Sequence, residues 1–157
     1  MAKTQNYTLK TKILKKVKIL TIILHSLILI GAGHGIGFLI FFDFFSIPAL
    51  FMNKIEYNLK ADYDNRLMLV GLISIIGKIT LIFSFFIKSK RNKILTEIIG
   101  ISLLWISVYF LTSGNWNYNS LFEFSFWSSI PFLISSVILT IQIVLKIYRK
   151  EELNTEN

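Results

Sequence analysis

The chain has 157 residues, 54% of them hydrophobic and 17% charged, with no cysteine and a formal net charge of +8. Without cysteine there is no disulfide, no thiolate metal site, no iron–sulfur cluster and no thiol redox chemistry. The basic excess does not point to nucleic acid: the lysines and arginines stand beside apolar runs, where anionic lipid headgroups would meet them, so the bilayer is the expected partner.

Residues 1–18 form a basic arm carrying Lys3, Lys10, Lys12, Lys15, Lys16 and Lys18 and no acid. An apolar run follows, ILTIILHSLILIGAGHGIGFLIFF, from Ile19 to Phe42. Hydrocarbon is crossed by about 20 helical residues, so a first span is expected over 19–42. Gly31-Ala32-Gly33 resembles a small-residue cleavage site behind a basic segment. The run continues nine residues past it and further spans follow, so a span rather than a signal peptide is expected. Asp43 then marks the far end, and the segment around Pro48 reads as an interfacial stretch too short to span.

A polar loop over 53–66 leads to a second span at about 67–87. The basic turn Lys88-Ser89-Lys90-Arg91-Asn92-Lys93 leads to a third at about 94–112, and the Asn-rich turn SGNWNYNS to a fourth at about 124–145. Residues 146–157 form a charged tail. The fold class expected is an all-α membrane protein, a four-span transmembrane helix bundle forming a single domain over 19–145. One side carries thirteen Lys and Arg and the other three. By the positive-inside rule both termini are expected in the cytoplasm, with a bacterial cytoplasmic membrane as the setting.

Spaced on a helix, Gly31/Gly35 and Gly33/Gly37 make two small-xxx-small pairs, which reads as a helix-packing face. Gly71, Ser74 and Lys78 share a face of the second span, Glu97, Gly100 and Ser107 a face of the third, and the serines from Ser125 to Ser136 with Thr140 a face of the fourth. Polar faces are expected inward and greasy faces toward lipid.

Four strongly titratable residues lie well inside the expected spans: His25, His34, Lys78 and Glu97. By helix rise, Lys78 sits about 14 Å from the basic boundary and Glu97 about 5 Å, and a Lys78–Glu97 bridge is the simplest way to neutralise both. His34 is expected to hydrogen-bond a backbone carbonyl among the glycines. His25 and His34 are nine residues apart and so face opposite ways on one helix, which rules out a shared haem within one chain. A metal site needs more ligands than this set offers. The nucleophile elbow, HExxH, P-loop and dinucleotide-binding signatures are all absent.

No cofactor is expected. The function expected is interaction: an accessory, subunit or immunity-type membrane protein that packs on itself or on a membrane partner through the Gly31–Gly37 face. The alternative is a small transporter or channel using the buried His25, His34, Lys78 and Glu97 set.

Overall fold

The computed structural model describes residues 2–32, 35–58 and 62–155, and side chains over 12–31, 35–58 and 62–147. Five helices and one short hairpin follow in order: α1 (Ala2–Ser26), β1 (Leu29–Ala32), β2 (Gly35–Phe38), α2 (Leu39–Phe51), α3 (Tyr63–Phe83), α4 (Lys90–Thr112) and α5 (Ser120–Thr155). Among the described residues, three helices are long and apolar enough to cross a membrane: α3, α4 and the Ser120–Ile147 part of α5. At 1.5 Å per residue, the 21 residues of α3 reach about 32 Å, enough for a hydrocarbon core.

These three helices bury their small and polar residues. Ser74, Lys78, Glu97, Ser107, Ser125, Ser129 and Ser136 are buried, while Ile79, Phe83, Leu95, Trp105, Tyr109, Ile134 and Ile141 face outward. A water-soluble bundle would invert this pattern. In lipid the outward apolar face costs nothing, and the inward polar groups must pair with one another.

The helix expected over 19–42 is not one helix. α1 stops at Ser26, and the chain turns into an antiparallel hairpin that pairs Leu29 with Phe38, Ile30 with Gly37, Gly31 with Ile36 and Ala32 with Gly35. The Leu39 N–H donates to the Ile28 carbonyl at 2.9 Å, which closes the base of the hairpin and starts α2. Glycine costs a helix about 1 kcal/mol each relative to alanine, so four in seven residues disfavour a helix here by several. A hairpin instead pairs the backbone groups across two strands. The segment around Pro48, expected to lie at the interface, is the second half of α2 and packs along α3 through Leu39, Asp43, Ser46 and Ala49. The expected tail also continues α5 as helix to Thr155.

Gly31, Gly35 and Gly37 therefore lie on strands and form no helix-packing face; Gly33 lies outside the described residues. Close helix packing uses other glycines. A Cβ on Gly71 would stand 2.3 Å from the Phe42 carbonyl oxygen, a backbone atom of α2. On Gly77 it would meet Leu104 at 2.8 Å, and on Gly100 Leu81 at 2.7 Å, both at the α3–α4 contact. A Cβ on Gly35 would meet nothing within 4 Å.

The two ends of the bundle follow from these contacts. Ser84 at the end of α3, the start of α4 and Lys18 of α1 meet at one end. Tyr63, Ser113 at the end of α4 and the start of α5 meet at the other. α1 rises from the first end along α5, and the hairpin continues toward the second, where the Ser128 hydroxyl donates to the Leu29 carbonyl and Leu121 sits against Gly31.

Gly71→Ala is expected to destabilise the bundle by about 1–3 kcal/mol, because a backbone carbonyl must move to admit the methyl. Gly35→Ala is expected to leave stability unchanged. Thermal unfolding of both variants in detergent checks this, and equal stability of the two would contradict the packing described.

Candidate functional site

The interior of the bundle is a column of polar side chains, built in layers from five helices. At the first end, Lys18 leaves α1 and donates to Glu97 Oε1 at 2.5 Å and to Ser84 Oγ at 2.7 Å. Its ammonium also lies 4.4 Å from the centre of the Phe85 ring. Lys18 and Glu97 are buried, with 1% and 0% of their side chains exposed. A lysine directly adjoining an apolar run can snorkel to the surface or turn inward. Here the single carboxylate of α4 draws it in.

One turn higher on α1, the Thr21 hydroxyl donates to the Val17 carbonyl, so it accepts from Ser135 of α5 at 2.8 Å. The next layer holds His25, fully buried in the last turn of α1, with the edge of its ring against Phe132 at 4.6 Å between centroids. Its protonation follows from its neighbours. The Ser107 hydroxyl spends its one proton on the Leu104 carbonyl at 2.8 Å, so at the 2.9 Å contact with His25 Nε2 it can only accept. Nε2 therefore carries a proton, and Nδ1 lies 3.4 Å from the Ser74 hydroxyl. The imidazole is held by a serine on each side.

Ser74 and Lys78 are one turn apart on α3. Lys78 donates to Asp43 Oδ2 of α2, and both side chains are under a tenth exposed. Toward the second end, Tyr63 and Ser125 hydrogen-bond at 2.5 Å, with the Tyr63 ring edge-on to Phe122, and Arg66 donates to the Ser113 carbonyl at 3.0 Å.

The expected Lys78–Glu97 bridge does not form. Lys78 takes Asp43 and Glu97 takes Lys18. The two lysines and two acids pair across α2–α3 and α1–α4. Of the candidate residues, His25 and Lys78 share one neighbourhood, Glu97 lies nearer the first end, and His34 lies outside the described residues.

Sequence reasoning passed over Lys18, counted with the basic arm, and Asp43, read as the far boundary. A signal for Asp43 was present: it stands in FLIFFDFFSIPALF, a run too apolar to lie in water. Each acid has one oxygen held by lysine and one, Asp43 Oδ1 and Glu97 Oε2, buried with no hydrogen-bond partner among the described residues.

Removing one member of a buried ion pair leaves the other uncompensated, at about 3–5 kcal/mol. Lys78→Met and Asp43→Asn are each expected to destabilise on this scale, and the double variant by much less than their sum. Lys18→Met with Glu97→Gln should behave likewise. Lys78→Met with Glu97→Gln should be additive to within about 0.5 kcal/mol. Double-mutant cycles on unfolding in detergent measure these couplings, and a strong Lys78–Glu97 coupling would contradict the pairing.

No protein-family model matches the chain, and no curated protein or solved structure shows significant similarity to it, so function rests on the geometry alone.

Proposed function

We propose that the chain is a multi-pass protein of a bacterial cytoplasmic membrane with four crossings, the first made by α1 and α2 together around the hairpin. The polar stretch over 52–62 supports this, because a loop of that composition belongs at a membrane surface. Both termini are assigned to the cytoplasm from the lysines and arginines of the arm, the 88–93 turn and the end of α5. Lys93 and Lys146 lie within electrostatic reach of Lys18, which supports gathering these charges at one end.

Its action, in this reading, is interaction with another membrane-embedded chain, and the contact element is the hairpin rather than a helix face. One observation carries the reading: among the described residues β2 pairs with β1 on one side only and no third strand covers its other edge, and Ile36 on it is 71% exposed. A strand edge offers unpaired N–H and C=O groups, which hydrocarbon cannot satisfy and a second strand can. Gly35 and Gly37 add support: among the described residues a methyl would meet no obstruction at either, and neither has the positive φ that would require glycine. Small residues on an exposed strand admit a neighbouring backbone closely. A second copy of the chain, pairing β2 with β2, is the occupant proposed.

The absence of native cysteine makes the test clean. Ile36→Cys is expected to form a disulfide-linked dimer on oxidation in membranes, and Ile79→Cys, on the outward face of α3, is not. Equal crosslinking of the two would contradict the interface.

The column of buried charges favours a second reading, a small transporter or channel. Its mark would be an ion flux in liposomes that Lys78→Ala abolishes; no flux from the unmodified chain across a panel of ions removes it.

A further inference from the structure

We propose that Lys93 of α4 and Lys146 of α5, standing in front of the buried Lys18, form a binding site for the phosphate of an anionic phospholipid. The site requires only that the bundle stands in a bilayer, and it is independent of both the hairpin contact and ion transport.

The helix faces bring the three lysines together. Lys93 is one turn before the fully buried Glu97, so it lies on the inward face of α4. Lys146 is one turn after Ile143, which is 1% exposed, and so lies on the inward face of α5. Lys18 reaches Glu97 from α1. Ile94 and Ile147, next in sequence to the two outer lysines, pack against the hydrophobic core and hold both helices to it at this level. Lys93 and Lys146 are accordingly half-buried, and each lies within electrostatic reach of Lys18.

The charge gathered there is one-sided. Three ammonium groups share one carboxylate, Glu97, which leaves the cluster at +2. Among the described residues no ion pair holds Lys93 or Lys146. α4 also begins here with no acid in its first turn, so the positive end of its dipole adds to the same field. Like charges held together by packing repel, and an anion placed between them offsets the repulsion. A phosphate suits the position because its oxygens accept from more than one ammonium at once.

The neighbouring surface selects a lipid as the source of that phosphate. Beside the lysines the outward faces of the same two helices turn apolar, with Leu95 and Ile98 on α4 and Ile141 and Leu145 on α5 all more than 40% exposed. A charged head with acyl tails matches both parts of this surface, whereas a soluble phosphate matches the lysines alone. Exposed lysines at the same end, such as Lys88 and Lys90, attract anionic lipids as a class. Lys93 and Lys146 differ in bringing charge from separate helices to one point.

The test uses the full chain in phosphatidylcholine liposomes with a trace of spin-labelled phosphatidylglycerol or spin-labelled phosphatidylcholine. Electron paramagnetic resonance measures the share of each label immobilised at the protein. Phosphatidylglycerol is expected to be preferred on the order of fivefold. Lys93→Gln with Lys146→Gln is expected to remove most of that preference, and Lys93→Arg with Lys146→Arg to keep it. Lys88→Gln with Lys90→Gln takes the same charge from exposed positions at the same end and is expected to leave most of it. Should the first pair not fold, Lys146→Gln against Lys88→Gln carries the same comparison. Equal loss in the two sets overturns the proposal, because the attraction is then diffuse. No preference in the unmodified chain overturns it outright. Displacement of the lipid by inorganic phosphate, and not by chloride at equal ionic strength, assigns the lysines to a soluble phosphate and overturns the lipid as their ligand.

Discussion

Lys18, Glu97, Lys78 and Asp43 lie inside a bundle whose outer surface is built of Ile, Leu, Phe and Trp, and they neutralise one another in two pairs. An unpaired charge in such a setting costs several kcal/mol even after relaxation. Lys18 must therefore find Glu97, and Lys78 must find Asp43. Those two pairings tie α1 to α4 and α2 to α3. The first joins α1 to α4 near the basic end, and the second joins α2 to α3 deeper in. His25 and its two serines lie between them on α1, α3 and α4.

The second pairing depends on the broken first segment. Were 19–42 one helix, Asp43 would stand about 36 Å from Ile19 along the axis and would lie at a surface. The hydrogen bond from Leu39 to Ile28 removes the ten intervening residues from that length, roughly 15 Å of rise, and brings Asp43 inward to Lys78. The hairpin is thus more than a punctuation of the helix. It sets the depth of the acid, it lets Gly71 and the Phe42 carbonyl come close, and among the described residues it leaves one strand edge unpaired. An interior charge pair and an exposed edge are two results of the same break.

Much of this was legible in the residues. The apolar runs of α3, α4 and α5 fall where hydropathy places them, and the small and polar faces of those helices point inward as their spacing implies. The glycine cluster was misread because spacing alone cannot separate a small-xxx-small helix from a strand: Gly31, Gly35 and Gly37 fit both periodicities. Counting the helix penalty of four glycines would have favoured the break. The charge pairing was misread because depth was inferred from position in an unbroken helix, which put Asp43 outside the bundle and Lys18 in the arm. Long-range pairing of this kind is set by tertiary contact, and the pairs lie 35 and 79 residues apart in the chain.

The most direct test is the distance across the break. The chain has no cysteine, so spin labels can be placed singly at Ile19 and Phe41, both about half exposed, and their separation read by pulsed electron paramagnetic resonance in liposomes. With the hairpin closed at Ile28 and Leu39, that separation is expected at roughly 20 Å or less, from the rise of the helical residues that remain. A single distribution near about 33 Å, the length of 22 residues of unbroken helix, would contradict the fold and with it the pairing of Asp43 with Lys78.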